Sequence, residues 1–129
     1  MLRFQRYTIG YAWQGDYNHP DDIEQEFLYN KKYSPLHNVR EMSEFGSKHG
    51  AKLPGMMIMT ADHDDRVSPH HALKFGAEVQ AVHGNRTDEP LLVRIEMGAG
   101  HGAGISTSKG IEMSLDMFSF LGLQLDVEV

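Results

Sequence analysis

The residues of this 129-residue chain that could do chemistry fall in two short stretches. Asp62-His63-Asp64-Asp65-Arg66 gathers three carboxylates, an imidazole and a guanidinium. His101 stands among the glycines of Gly98 to Gly104 (GAGHGAG), 37 positions after Asp64. A carboxylate and an imidazole together can activate a weak oxygen nucleophile. The ring accepts the nucleophile's proton, and a buried carboxylate fixes its tautomer and stabilises the imidazolium. Glycines on both sides of His101 permit tight backbone angles and a close approach of substrate. Residue type does not choose the acid among Asp62, Asp64 and Asp65. Two other readings are weaker. A metal centre built from Asp62, His63, Asp64, His70 and His71 lacks HExxH or a comparable ligand frame. Gly98, Gly100 and Ala103 fit the dinucleotide pattern GxGxxG/A, but no further strand completes the βαβ unit.

The elements that must position these residues are legible in the apolar pattern. Gly55 to Thr60 (GMMIMT) is a short continuous apolar run, as in a strand covered on both faces of a parallel sheet. Ala61 to Val67 is then the loop at its carboxyl end. Ser68-Pro69 supplies an N-cap and a first-turn proline for a helix with Ala72, Phe75, Val79 and Val82 buried, ended by Gly84-Asn85. Leu91 to Met97 (LLVRIEM) is the next strand, followed by the glycine-rich loop. A last helix places Ile111, Leu115, Phe118 and Leu121 on one face, broadened by Met113 and Met117. This order predicts parallel strands with a right-handed crossover, and so puts both chemistry-bearing loops at one carboxyl edge. A carboxylate after one strand and a histidine after the next match the last two members of the order Ser, Asp, His found in α/β-hydrolases. The first third is polar and turn-rich. There, Asp21 or Asp22 is expected to cap a helix with Glu24 and Glu26 in its first turn and Ile23, Phe27 and Leu28 inward, ending before Pro35. Ser43 to Pro54 reads as a surface loop.

Composition limits the function classes. Apolar residues at 40% and charged residues at 23% describe a globular chain. A net charge of −6 argues against nucleic acid or an anionic membrane as partner. With no cysteine there are no disulfides, thiolate metal sites or cysteine nucleophiles, which fits a reducing compartment. No stretch approaches the roughly 18 apolar residues of a membrane span, and Met1 to Arg6 does not read as a signal peptide.

Several blocks, in one order, resemble the prolyl oligopeptidase family: Met1 to Phe4 (MLRF), Thr8 to Trp13 (TIGYAW), Ser34 to Val39 (SPLHNV), Thr60 to Val67 (TADHDDRV) and Gly100 to Gly104 (GHGAG). The family's members are serine peptidases that cleave short peptides after proline. The resemblance implies an α/β fold in which residues 1–129 are the C-terminal part of an α/β-hydrolase catalytic domain with an incomplete sheet. It implies a cytoplasmic protein with no cofactor and no metal. By resemblance Asp64 is the triad acid and His101 the triad base. Arg66 hydrogen-bonds the substrate backbone beside the scissile proline, Trp13 stacks on the proline ring, and Tyr17 and Val67 line the same pocket. Such roles suit the groups: a flat indole fits a rigid apolar ring, and a guanidinium fits a carbonyl oxygen.

The nucleophile is not in evidence. None of the eight serines lies in GxSxG, and Gly46-Ser47-Lys48-His49-Gly50 is the nearest miss. The resemblance therefore implies two partners: short proline-containing peptides, and the remainder of the catalytic domain, upstream, which carries the serine. Without that remainder the first strand should present an open apolar edge. The alternatives are a truncated, non-catalytic fragment or interaction module, and a related oligopeptidase of different specificity.

Overall fold

In the computed structural model, which describes residues 2–102 and 105–127, the N-terminal segment makes 3-10 turns at Phe4–Arg6 and Gly10–Trp13. Helices α1 (Gln14–Tyr17), α2 (Glu24–Tyr33) and α3 (Pro35–His49) follow. Strand β1 (Met56–Ala61), helix α4 (His70–His83), strand β2 (Leu91–Glu96) and helix α5 (Thr107–Leu125) complete the order. The strands pair in parallel, in register from Met56 opposite Leu91 to Ala61 opposite Glu96, with α4 as the crossover. Both loops of interest thus leave the same end of the sheet, as the strand–helix–strand pattern requires.

The helix α4 lies against the sheet because Gly76 has no side chain. A Cβ there would stand 2.4 Å from Val93 Cγ2 and 3.5 Å from Ile58 Cδ1. Val93 is β-branched and cannot swing away cheaply. Gly76→Val should therefore cost about 1–3 kcal/mol through overpacking, although glycine is a poor helix former. Chemical denaturation of the two proteins measures this, and equal midpoints would refute the contact. Along β2 the pleat alternates faces: Val93 meets α4, whereas Arg94 and Glu96 reach α5 through Asp116 and Lys109.

The strands are less covered than their apolar run predicts. Only Ala61 and Glu96, at their carboxyl ends, are buried, and Leu92 and Ile95 are exposed. Among the described residues the sheet has two strands, so nothing there pairs with the second edge of β1. The stripe predicted on α5 is formed but faces outward: Ile111 is 57% exposed, Leu115 60% and Phe118 53%. In α4, Val79 is buried while Ala72, Phe75 and Val82 are half-buried. The buried apolar residues among the described residues are Phe4, Val39, Ala61, Val79 and Ala99, a thin core for this length.

Three local expectations need correction. The segment from Ser43 is not a loop: α3 runs on to His49 and ends at Gly50, whose φ of 69° is left-handed. Gly46, inside the segment read as a loop, lets the chain fold back over the helix end, where a Cβ would meet the Ala51 carbonyl oxygen at 2.8 Å. The α3 helix also packs on α4, with Arg40 3.0 Å from Glu78 and Arg86 hydrogen-bonded to Ser43. Neither Asp21 nor Asp22 caps α2. Ile23 occupies the cap position, Asp21 pairs with Arg6, and Glu26 accepts from the His19 amide. Ile23 and Leu28 are exposed; the buried residue of α2 is Asn30, whose amide donates to the Tyr17 carbonyl at 2.8 Å. Finally, α4 begins one residue late, and the Ser68 hydroxyl bonds the His70 ring rather than capping a backbone amide.

Candidate active site

Beyond β1 the ladder continues by one bond, from the Asp62 amide to the Glu96 carbonyl at 3.1 Å, and the two loops then meet. Asp64 divides its carboxylate between them. Oδ1 accepts from the Arg66 amide at 3.0 Å and the Val67 amide at 2.7 Å, closing a turn of its own loop. Oδ2 lies 2.8 Å from His101 Nδ1. Burial pulls the Asp64 carboxyl upward, but the His101 ring and the Val67 and Arg66 amides together hold it below the ordinary carboxylate value. An ionised carboxylate only accepts, so Nδ1 carries the hydrogen and donates it. The lone pair of the neutral ring is then on Nε2, where it can accept a proton. The Asp64 side chain is 11% exposed and that of His101 44%, so the carboxylate is enclosed and the imidazole is accessible.

Of the three aspartates, Asp64 alone is the one drawn against the His101 ring, a choice residue type leaves open. Asp65 is exposed. Asp62 Oδ1 accepts from the amides of Gly98 at 2.7 Å and Ala99 at 3.3 Å, and His63 Nδ1 stands 2.8 Å from it. The His63 hydrogen bond, with lesser help from these amides, keeps the Asp62 carboxyl below its ordinary value. Gly98 and Gly102 take φ of 64° and 89°, a region that favours glycine, so these two glycines are required by the turn. Ala103 and Gly104 lie outside the described residues, and with them the third position of the dinucleotide pattern and the end of GHGAG. Met1 of the MLRF block does too.

Val67 is half-buried beside the turn that Asp64 closes, and Arg66 is exposed. Trp13 is half-buried at the end of the second 3-10 turn, and Tyr17 packs edge-to-face on Phe4 with ring centres 5.8 Å apart. The structure thus brings Asp64, Arg66, Val67 and His101 into one hydrogen-bonded pair of loops. Trp13 and Tyr17 sit on the N-terminal segment, which Thr8 joins to that pair by donating to the Arg66 carbonyl at 2.8 Å. The five residues weighed as metal ligands do not converge on one point: His63 pairs with Asp62, and the others have separate partners. Asp62 holds amides, Asp64 holds His101, and His70 stacks on Tyr7 at 5.6 Å. Among the described residues no group of three or more His, Cys, Asp or Glu could hold a metal ion. A cleft of about 690 Å³, lined by Leu2, Tyr7, Phe27, His37, His71 and Phe75 among others, includes neither Asp64 nor His101.

Sequence reasoning missed Thr8 and a charged cluster at the base of the His101 loop. Arg94 lies 2.9 Å from Glu96 and 2.6 Å from Asp116, while Lys109 lies 3.2 Å from Glu96 and donates to the Met97 carbonyl. The hydrogen bonds from Arg94 and Lys109 hold the buried Glu96 carboxyl below its ordinary value. Two charges alternating inside an apolar strand were the available signal, since buried charges need partners. The near-miss serine, Ser47, lies in the last turns of α3 and not on a strand-to-helix elbow. No helix among the described residues is long and apolar enough to cross a membrane.

A parallel strand–helix–strand unit, with carboxylate and imidazole at successive strand ends, defines a partial domain of the α/β-hydrolase class. The chain belongs to the prolyl oligopeptidase family, whose sequence model matches residues 1–128. It is 42% identical over 128 residues to a prolyl endopeptidase of Elizabethkingia miricola, covering 99% of this chain and 17% of that protein. Prolyl oligopeptidase B of Galerina marginata, solved bound to a 35mer hydrolysis and macrocyclization substrate with one histidine replaced by alanine, superposes with a TM-score of 0.82 at 32% identity. That match covers 100% of this chain and 17% of the other. The same protein, bound to a 25mer macrocyclization substrate with one aspartate replaced by alanine, gives 0.80 at 32% identity over 98% of this chain and 16% of that one. In its own chain, that replaced histidine follows that replaced aspartate by the same interval that separates His101 from Asp64. The chain thus spans about a sixth of the length of the relatives it matches.

Proposed function

We propose that this chain is the C-terminal part of the catalytic domain of a cytoplasmic serine peptidase that cleaves short peptides on the carboxyl side of proline. Asp64 is its triad acid and His101 its base; the serine lies on the remainder of the catalytic domain, outside these residues. One observation carries the reading: the 2.8 Å contact of Asp64 Oδ2 with His101 Nδ1, while the other oxygen of the acid is held by two amides. This is the arrangement an acid needs in order to orient a base without taking its proton. The exposed apolar stripe of α5 and the unpaired edge of β1 support a neighbouring segment of the same domain. The test is labelling of the full-length protein with a serine-directed phosphonate while a proline-linked chromogenic peptide is turned over. The label should map to a serine outside residues 1–129, and the 129-residue chain by itself should show no turnover. Stoichiometric labelling of any of the eight serines here would overturn the assignment.

Arg66, Trp13, Tyr17 and Val67 form the substrate side of the proposed site. Arg66 bonds the peptide backbone beside the scissile residue, and the Trp13 indole stacks on the proline ring, with Tyr17 and Val67 lining the pocket. Trp13→Ala should then lower the preference for proline over alanine in kcat/KM roughly 10- to 200-fold. Turnover of the alanine substrate should change much less. An unchanged preference would favour a related oligopeptidase of different specificity.

A further inference from the structure

The loop that carries His101 has a glycine at every second position from Gly98 to Gly104, so it loses more chain entropy on ordering than other sequences would. Something outside the loop must hold it. The geometry points to Asp62 as the positioning residue of the His101 loop, an inference that rests on His101 being the base. The Asp62 Oδ1 atom takes the amides of Gly98 and Ala99, at 2.7 and 3.3 Å. The backbone on either side adds two more bonds between the same loops, Asp62 amide to Glu96 carbonyl and His63 amide to Ala99 carbonyl, each 3.1 Å. Ala99 is buried under these contacts. The loop is therefore pinned two and three residues before His101, to a point two residues before Asp64. Residues i and i+2 leaving one strand end divide the work. Asp62 fixes the backbone that carries the base, and Asp64 fixes the ring of the base.

A carboxylate suits this role because amide bonds to an ionised acceptor are stronger than those to a neutral one. Its effect on His101 is through distance. If the loop shifts, the 2.8 Å contact at Nδ1 opens, and a misplacement of about 1 Å near a reacting group costs on the order of 100-fold in rate. The requirement is for an acceptor oxygen at one place rather than for a charge.

This distinction sets the experiment. The imidazole Nδ1–H resonance of His101 is followed by proton NMR in the full-length protein with selectively labelled histidine, for the parent and for Asp62→Ala, Asp62→Asn, Asp62→Glu and Asp65→Asn. The expected result is loss of the resonance in Asp62→Ala and Asp62→Glu, and its retention in Asp62→Asn, which keeps the oxygen in place. Asp65→Asn, which removes a neighbouring exposed charge, should leave it unchanged. If Asp62→Ala does not fold, the Asn and Glu variants still decide. A resonance kept in Asp62→Glu and lost in Asp62→Asn overturns the inference, as does one unaffected by all Asp62 changes or equally altered by Asp65→Asn. The readout needs no turnover. Absence of peptidase activity in the parent would therefore count against the proposed function alone, while the resonance would still test the role of Asp62.

Discussion

His101→Ala in the full-length protein is expected to lower kcat for a proline-linked chromogenic peptide by roughly 10⁶-fold, the scale seen when a triad base is deleted. With Nδ1 turned to Asp64, the ring has the lone pair of Nε2 to offer to a nucleophile. Alanine has nothing to take its place. The folding cost should be small by comparison. The His101 side chain is 44% exposed, and Asp64 keeps the Arg66 and Val67 amides after the ring is gone. Surface changes of this kind stay within about 0.5 kcal/mol. Steady-state kinetics and a denaturation curve on the same preparation separate the two effects. Activity within tenfold of the parent, in a folded variant, removes His101 from the triad.

Asp64→Asn should cost about 10⁴-fold in kcat with little change in KM. Asparagine keeps the shape and changes the donors. The Oδ1 position must still accept two backbone amides, at 3.0 and 2.7 Å, so the amide oxygen of the new side chain belongs there. Its NH2 group then occupies the Oδ2 position and points a donor at His101 Nδ1. The ring answers by moving its hydrogen to Nε2, which leaves no lone pair for the nucleophile. The turn of residues 64–67 should survive, since both of its hydrogen bonds do. The measurement is kcat and KM for the same peptide, together with the tautomer of His101 by nitrogen NMR. A variant with the Nε2 tautomer and undiminished kcat would separate Asp64 from catalysis. Asp64→Ala, lacking both acceptor and donor, should instead loosen the turn and raise the sensitivity of the protein to denaturant.

Strand, helix and strand over residues 55–97 were readable because their signals are local. A short apolar run, a serine–proline start and a stripe at helical spacing each depend on a few neighbouring residues. The same pattern dictated that the aspartate cluster and His101 would share one sheet edge, because parallel strands put both of their carboxyl ends on the same side. Family membership was also readable, in blocks spread over the whole chain. Local signals misled where a residue's role came from packing. Gly46 falls in a segment that reads as loop but lies in α3, where Ala51 crosses it, and Ile23 reads as core but is exposed while Asn30 is buried. The outward-facing stripe of α5 was predicted in its spacing and not in its exposure, since spacing describes a face and not what covers it.

Sequence alone therefore determined the βαβ unit, the strand ends at which the chemistry is displayed and the residue types gathered there. The family resemblance singles out Asp64, but tertiary structure alone decided which partner each aspartate holds. Asp62 and Asp64 are the same side chain two positions apart, and neither composition nor spacing separates them. The separation arises when the second loop arrives, presenting amides to one carboxylate and an imidazole to the other. Hydrogen bonds act over less than an ångström of tolerance, so this division of partners belongs to the geometry between loops whose pairing residues, Asp64 and His101, are 37 residues apart in the chain.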